Sequence, residues 1–128
     1  MVRSDGKYIR DYIYVRDASA AYVRVAEAVL NGLQGEAFNF SHEEEITVLE
    51  MIKSIQTVMS SDLAPVVLNE ASGEIVRQHL DSSKARRLLS WRPAYMLEDA
   101  LRETVAWYQT RLVGDAGDMP GRIGLEHR

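Results

Sequence analysis

The chain has 128 residues, 46% of them hydrophobic and 27% charged, a composition typical of one globular domain. Its net charge of −4 at pH 7 disfavours non-specific binding to nucleic acid or to an anionic membrane. The absence of cysteine excludes disulfides, thiolate catalysis and cysteine-ligated zinc.

The remaining metal-binding and membrane signals are weak. His42, His79 and His127 are far apart in the sequence and form no H-x-x-x-H pair, so we predict no metal site. No apolar stretch approaches the roughly 20 residues that a transmembrane helix needs. We therefore expect a cytoplasmic domain that binds neither membrane nor nucleic acid.

The first predicted elements are a strand and a helix. The run YIYV predicts a short strand over 12–15, and Asp17 is a good N-cap for the helix that follows. Asn31 and Gly32 predict the end of this helix, because glycine tolerates the left-handed conformation there. The helical spacing predicts a buried stripe of Ala18, Ala21, Tyr22, Val25, Val29 and Leu30.

The middle of the chain predicts two further strands around a second helix. GEAFNFS, residues 35–41, has the apolar composition of a short buried strand, and APVVLN, residues 64–69, is another strand candidate. Thr47 and Glu50 form a capping box, so we predict a helix from there to about Met59. EASGEI, residues 70–75, predicts a turn.

The last part of the chain predicts two helices and a tail. Asp81 or Ser82 caps a short helix, SKARRLL, which ends before the WRP segment. A final helix begins near Leu97, and its buried stripe is predicted to contain Leu101, Thr104, Val105, Tyr108 and Leu112. We predict one domain over residues 1–113 and a flexible tail over 114–128, which lacks periodicity. The order is that of an α/β domain with few, short strands.

Several segments together resemble a known family. SDGKYIRDYIYVRDASAAYVRVAE, GEAFNFS, TVLEMI and DSSKARRLLSWRP occur in the order and spacing of the C-terminal third of extended short-chain dehydrogenases/reductases. These are the NAD-dependent nucleotide-sugar epimerases and 4,6-dehydratases. Within them, LNEASGEI followed by QHLDSSKARRLLSWRP is most similar to the CDP-glucose 4,6-dehydratases. The resemblance implies a Rossmann-type α/β fold with four helices here and most of the dinucleotide-binding sheet missing.

The resemblance implies a diphosphate-binding role for Arg10. This arginine occupies the position of the family arginine that approaches the diphosphate of the nucleotide-sugar, and a guanidinium can grip phosphate oxygens bidentately. The alternative is that Arg10 pairs on the surface with Asp5 or Asp11. Arg16 has no matching ligand role and is expected to be structural.

The resemblance also implies a ribose-binding role for Glu74. Many family members have Arg-x-Gly-Asp where this chain has Ala71, Ser72, Gly73 and Glu74. Glu74 could accept a hydrogen bond from a ribose hydroxyl, or it could be a solvated turn residue. Alanine at 71 cannot contact phosphate as arginine does, so that part of the grip is lost or supplied from elsewhere, with Arg77 the nearest candidate.

Two motifs that the redox chemistry needs are missing from this sequence. The family's Gly-x-x-Gly-x-x-Gly turn lets a helix N-terminus approach NAD, whereas Gly32 and Gly35 are followed by Phe38 and lie after a predicted helix. No lysine has a tyrosine four residues before it, as the Tyr-x-x-x-Lys pair requires.

Three expectations follow from these absences. We expect no catalytic and no cofactor-binding residue on this chain, and NAD only in a full-length family member. The first hypothesis is a substrate-binding portion for a nucleotide-sugar, a CDP-hexose by the closest similarity, that is inactive alone. The second is a non-catalytic module that self-associates as a homo-oligomer or pairs with another chain, because a sheet this small leaves exposed edges.

Overall fold

A computed structural model describes residues 1–115 of the chain. It has two strands and four helices: β1 (Ile9–Arg10), α1 (Val15–Leu30), β2 (Ile46–Thr47), α2 (Val48–Met59), α3 (Ser83–Leu89) and α4 (Leu97–Asp115). The predicted α/β class with four helices and few, short strands is therefore confirmed. Of the predicted tail over 114–128, the first two residues belong to α4, and residues 116–128 lie outside the described residues. No described helix is long and apolar enough to cross a membrane.

The small sheet is built around β1. It pairs antiparallel with β2, with Ile9 opposite Thr47 and Arg10 opposite Ile46. On its other side, Ile9 forms a parallel bridge with Arg77, and a second parallel bridge joins Val2 to Val67. The excursion between residues 67 and 77 therefore leaves from beside the start of the chain and returns beside β1.

The three strands predicted from apolar runs are wrong. Residues 12–14 are extended but unpaired, Val15 already belongs to α1, and 35–41 contains no strand. Within 64–69 only Val67 makes a bridge. An apolar run favours an extended backbone, but a strand also needs a neighbouring segment whose N–H and C=O groups complete the ladder. No described segment supplies such a ladder at 12–15 or 35–41, and at 64–69 Val2 supplies it for a single bridge, through hydrogen bonds with Val66 and Leu68.

The capping signals of α1 and α2 have different outcomes. α1 begins at Val15, so Asp17 lies inside its first turn instead of capping it, whereas the end at Leu30 agrees with the prediction. The capping box of α2 is confirmed: the Glu50 backbone N–H donates to the Thr47 hydroxyl, and the Thr47 N–H donates to the Glu50 carboxylate. Both bonds satisfy amides that a helix start leaves without partners.

Gly6 is the glycine on which the packing of α2 depends. Its φ is +80°, and a Cβ at this position would lie 2.4 Å from Cγ of Leu49. The backbone contact is correspondingly close, since the Leu49 N–H donates to the Gly6 carbonyl at 3.0 Å. Only glycine allows both the left-handed conformation and this approach.

The buried core lies between α1 and α3. It contains Ala21, Ala85, Leu89 and Trp91, with Phe38 and Phe40 packed against it. Phe40 meets the Trp91 ring edge-on, with centroids 4.9 Å apart. These contacts place Trp91 against α1 and α3. The small alanines let the two helices approach around the indole ring.

Several residues predicted to be buried are exposed. Tyr22 and Leu30 on α1 are 79% and 87% exposed, and Tyr108 on α4 is 55% exposed. Sequence periodicity identified an apolar face on each helix, but the described chain covers only part of each face.

A polar loop joins the elements around the core. The Ser41 hydroxyl donates to Asp11 at 2.5 Å, and the Ser41 carbonyl accepts from the Ser82 hydroxyl at 3.2 Å. Glu43 accepts from the Ser82 N–H at 2.7 Å and pairs with Arg86 at 2.6 Å. Residues 41–43 thus connect the residue after β1 with the start of α3 without a strand, and Arg86 of α3 is part of this network.

Candidate functional site

Arg10 ends β1, and the main chain fixes its guanidinium. Its Nη1 donates to the carbonyl of Ile9 at 2.9 Å and to the carbonyl of Ile75 at 2.8 Å. Its guanidinium carbon also lies 5.5 Å from the centre of the Tyr8 ring. Since residues two apart on a strand share a face, Tyr8 and Arg10 are expected neighbours, which the sequence analysis did not consider.

Glu74 is brought to Arg10 by the excursion that leaves at Val67 and returns at Arg77. The Leu68 N–H donates to the Val2 carbonyl at 2.8 Å at one end, and the Gln78 N–H donates to the Ile9 carbonyl at 3.1 Å at the other. Between them Gly73 has a φ of +71°, which supports its predicted role in the turn. The two anchored ends place residue 74 directly beside β1.

The two predicted site residues are in contact. Nη2 of Arg10 lies 3.3 Å from Oε2 of Glu74, although the residues are 64 positions apart in sequence. The Arg10 side chain is 26% exposed and that of Glu74 is 40% exposed. The pair therefore lies at the surface, where a charged ligand can reach it. At this distance the opposite charges of the two side chains attract each other directly, so they form an ion pair.

The alternative pairing of Arg10 with Asp5 or Asp11 is not found. Asp5 accepts a hydrogen bond from the Lys7 N–H at 2.9 Å, which closes a local turn. Asp11 accepts from the Ser41 hydroxyl and from the Leu80 N–H. Both aspartates accept hydrogen bonds from backbone amides or from Ser41, and the carboxylate that contacts Arg10 is that of Glu74.

The structure does not bring Arg77 to the same place. Arg77 pairs with Glu45, and its bridge partner in the small sheet is Ile9. Bridged residues share a face of a sheet and successive residues alternate, so Arg77 lies on the face opposite to Arg10. The Ala71 N–H donates to the Arg3 carbonyl at 3.0 Å. Arg77 therefore does not replace an arginine at position 71.

Arg16 belongs to a separate cluster. Its Nε lies 3.3 Å from Glu103 of α4, and its guanidinium donates to the Tyr95 hydroxyl at 3.3 Å. The Tyr14 hydroxyl donates to the same Glu103 carboxylate at 2.6 Å, and this bond raises the pKa of Tyr14. The cluster ties the start of α1 to α4, in agreement with the structural role expected for Arg16.

A buried pair that the sequence did not predict joins α1 to residue 42 of the polar loop. Asp17 is 1% exposed, and its Oδ2 lies 3.0 Å from Nε2 of His42. Its Oδ1 accepts from the Ala94 N–H at 2.8 Å, and its backbone carbonyl accepts from the Trp91 indole at 3.2 Å. Helical periodicity does not mark a buried carboxylate, so the only available signal was the position of Asp17 beside the predicted helix start.

A cavity of about 270 Å³ lies between residues 12–14, α2 and α4. Its walls are mainly apolar, with His42, Glu44 and the hydroxyl-bearing rings of Tyr12 and Tyr14 among the lining side chains. Burial raises the pKa of Tyr12. The cavity has no cluster of charged donors comparable to the Arg10–Glu74 pair, so that pair remains the candidate ligand site.

The described residues do not fit a dinucleotide. Gly32 and Gly35, which have part of the spacing of the dinucleotide-binding turn, follow the C-terminal end of α1, where the Gly32 N–H donates back to the Val29 carbonyl. A pyrophosphate site instead needs free N–H groups at the start of a helix. Nor does any group of three or more His, Asp or Glu side chains in residues 1–115 suit a metal ion.

The chain is similar to known proteins in both sequence and structure. Residues 1–41 match the model of the NAD dependent epimerase/dehydratase family. Two curated relatives are the UDP-glucose 4-epimerase of Bacillus subtilis, 30% identical over 86% of this chain, and the dTDP-glucose 4,6-dehydratase of Neisseria gonorrhoeae, 33% identical over 84%. The chain spans only about a third of their length, 32% and 34% respectively.

Solved structures give the same result. The UDP-glucose 4-epimerase of Thermotoga maritima with UDP-glucose has a TM-score of 0.76 at 29% identity, over 87% of this chain and 35% of its own. The dTDP-glucose 4,6-dehydratase of Bacillus anthracis in complex with NAD has a TM-score of 0.69 at 28% identity, over 85% of this chain and 34% of its own. The resemblance to the NAD-dependent epimerases and dehydratases is therefore confirmed, and the finer similarity to the CDP-glucose 4,6-dehydratases stays a prediction.

Proposed function

We propose that this chain, which resembles part of an extended short-chain dehydrogenase/reductase of the NAD-dependent epimerase/dehydratase family, forms the substrate-binding portion of a nucleotide-sugar 4,6-dehydratase or epimerase. Arg10 binds the diphosphate and Glu74 accepts a hydrogen bond from the ribose. A CDP-hexose is the substrate that the sequence similarity favours, and a cytoplasmic location remains a prediction from composition. The relatives reported above are named for UDP-glucose and dTDP-glucose, so the identity of the nucleotide base needs its own test.

The observation that carries this proposal is the contact between Arg10 and Glu74 at the surface. Two residues chosen by their motif positions lie 3.3 Å apart in the folded chain. They present a cation for phosphate and a carboxylate for a hydroxyl, side by side, as one nucleotide diphosphate needs. The main-chain carbonyls that hold Nη1 fix the guanidinium, which lowers the entropy that binding has to overcome.

We propose further that the chain is catalytically incompetent alone. A family member uses NAD to oxidise and then re-reduce the sugar, and the residues described above do not fit that cofactor. The residues of this chain would bind and orient the nucleotide part of the substrate. The Gly-rich turn and the Tyr-x-x-x-Lys pair would have to come from outside this sequence.

A binding titration tests the proposed site. A charge-assisted bond to phosphate contributes about 1.5–3 kcal/mol, while association costs about 4 kcal/mol or more in lost freedom. Because these two contributions nearly cancel, we expect at best millimolar affinity of the chain for CDP-glucose and no detectable binding of NAD, measured by chemical-shift changes in NMR spectra. Arg10→Ala should abolish the CDP-glucose shifts. The matched variant Arg16→Ala, which removes an arginine of the separate cluster, should leave them unchanged.

The same titration distinguishes the alternatives. Tighter binding of UDP-glucose or dTDP-glucose than of CDP-glucose would overturn the CDP preference and leave the site in place. Equal binding by the wild type and Arg10→Ala would overturn the site. Formation of a 4-keto sugar when the purified chain is incubated with NAD and CDP-glucose would overturn the proposed inactivity.

Exposed apolar side chains favour a second candidate function, that of an interaction module. The outward residues of α1 and α4 named above are joined by Val15 and Leu112, which are 67% and 69% exposed. Apolar surface of this kind favours association, here as a homo-oligomer or with another chain. Sedimentation at micromolar concentration tests it. A dimer that Tyr22→Lys converts to monomer would support the homo-oligomer, and a wild-type monomer would count against it.

A further inference from the structure

The two nitrogens of the Arg10 fork have different kinds of partner. Nη1 is held by the carbonyls of Ile9 and Ile75, which belong to the main chain and cannot leave without disturbing the strand and its neighbour. Nη2 is held by Glu74, at the longer distance of 3.3 Å and through a flexible side chain. The position of the guanidinium is thus set by the backbone, while its outer contact is exchangeable.

From this asymmetry we propose that Glu74 exchanges partners when ligand binds. Without ligand its carboxylate occupies Nη2 of Arg10, and a diphosphate takes that place while Glu74 turns to the ribose hydroxyl. The inference rests on the proposed function, because it assigns the order of contacts within that same site. Glu74 then competes with every phosphate group for Nη2 of Arg10. It contributes a hydrogen bond to the ligand only when the phosphate carries a ribose.

The geometry leaves room for this exchange. The Glu74 side chain is 40% exposed, and within residues 1–115 its carboxylate has a hydrogen bond to Arg10 alone. The carboxylate can therefore move without displacing packed side chains. Exposed ion pairs contribute little free energy, so a phosphate with two negative oxygens can displace this one. Arg10 itself stays in position because Nη1 keeps its two carbonyls.

The exchange has a consequence for selectivity. Inorganic pyrophosphate has to displace Glu74 from Arg10 and has no ribose hydroxyl to which the released carboxylate can bind. A nucleoside diphosphate displaces it and supplies a hydroxyl donor for the released carboxylate. Glu74 therefore weakens the binding of diphosphates that lack a ribose and favours those that have one, although both kinds of ligand meet the same arginine.

The test compares inorganic pyrophosphate and CDP as ligands of the full chain, by NMR titration at fixed ionic strength without divalent cations. We expect Glu74→Gln to bind pyrophosphate about two- to fivefold tighter than the wild type, the range that the free energy of exposed ion pairs sets. Glu74→Asp, shorter by one methylene, should bind pyrophosphate tighter as well, because it keeps the charge but no longer reaches Nη2. The preference for CDP over pyrophosphate should fall about fivefold or more in Glu74→Gln.

Glu70→Gln is the matched control, since Glu70 is an exposed glutamate at the start of the same excursion and has no contact with Arg10. It should bind both ligands as the wild type does. Equal pyrophosphate affinity in the wild type and Glu74→Gln, with Arg10→Ala still abolishing binding, would overturn the exchange and leave the proposed site standing. Failure of the wild type and of every Glu74 variant to bind either ligand would overturn both.

Discussion

The dipeptides Arg10-Asp11 and Arg16-Asp17 have the same sequence but different environments. Arg10 is held by two main-chain carbonyls and contacts Glu74 at the candidate site, whereas Arg16 is 61% exposed in an ion pair that ties α1 to α4. The partner residue after each arginine is a structural aspartate. What distinguishes the candidate ligand-binding arginine from the structural one is the backbone around it, not the dipeptide.

The aspartates differ in how their oxygens are used. Asp17 receives one donor on each oxygen, from the Ala94 N–H and from His42. Asp11 receives two donors on Oδ2, from the Ser41 hydroxyl and the Leu80 N–H, while its Oδ1 is buried with no hydrogen-bond partner within residues 1–115. The lesson is that the cost of changing a buried carboxylate depends on both of its oxygens.

Removal of the Asp17 carboxylate should have the largest effect. Asp17→Ala leaves the Ala94 N–H and the His42 ring without their acceptor in a buried place, so we expect the free energy of unfolding to fall by about 2–4 kcal/mol. Urea unfolding, followed by the fluorescence of the adjacent Trp91, measures it. Asp62→Ala, at an exposed position, is the control and should lie within about 0.5 kcal/mol of the wild type.

Asp17→Asn then separates charge from shape. It keeps an acceptor for the Ala94 N–H and presents an amide N–H₂ to His42, which can accept only through an unprotonated Nε2. We expect the free energy of unfolding of Asp17→Asn to lie between that of Asp17→Ala and that of the wild type. If Asp17→Ala were as stable as Asp62→Ala, the buried hydrogen bonds of Asp17 would contribute nothing, and the contrast between the two aspartates would disappear.

Glu43 provides an effect of intermediate size in the loop that contacts both aspartates. The hydrogen bond from Arg86, and then that from the Ser82 N–H, hold the pKa of Glu43 below its usual value of 4.5. A carboxylate with a lowered folded-state pKa stabilises the protein above the pKa of the unfolded chain and loses this contribution as the pH falls through the folded value. The melting temperature of the wild type should therefore fall more steeply than that of Glu43→Gln below about pH 4.5.

Parallel acid profiles for the wild type and Glu43→Gln would show that the loop is held by other contacts. Arg86→Gln should give the same shallow acid dependence as Glu43→Gln, because it removes the main cause of the lowered pKa. Arg87→Gln, on the exposed part of α3, is the matched control and should keep the steep profile of the wild type.

The sequence predicted the helices well and the sheet badly, for a physical reason. A helix completes its hydrogen bonds within itself, so the capping box of Thr47 and Glu50 and the end of α1 at Asn31 are local signals that the structure confirms. The strand predicted over 35–41 depends on a neighbouring segment, which no local pattern specifies. The exposure of Tyr108 follows from the same limit, since periodicity identifies an apolar face but not what covers it.

For the candidate site, the resemblance supplied the residues but not their relation. Arg10 and Glu74 were chosen separately, for diphosphate and for ribose, and their contact depends on a 64-residue separation that the bridges at Val67 and Arg77 close. The role suggested for Arg77 failed because the alternation of side chains in a sheet could be applied only once its bridge to Ile9 was known. The buried role of Asp17 had no periodic signal at all.

The smallest expected effect is that of Asp11→Asn, and it is the sharpest test of the contrast between the aspartates. The asparagine oxygen can take the place of Oδ2 and accept from both the Ser41 hydroxyl and the Leu80 N–H, while the amide N–H₂ takes the place of the buried Oδ1. The variant weakens two bonds by removing the charge and places an amide N–H₂, which also needs a partner, at the buried position, but it removes a buried charged oxygen that had no partner there. Because these contributions oppose each other, we expect the free energy of unfolding of Asp11→Asn to stay within about 0.5 kcal/mol of the wild type. It should exceed that of Asp17→Asn by at least about 1 kcal/mol. Urea unfolding of both variants in parallel measures the difference. An equal loss in the two would mean that Oδ1 of Asp11 accepts a hydrogen bond that is as important as those of Asp17, and that the two pairs share one structural role.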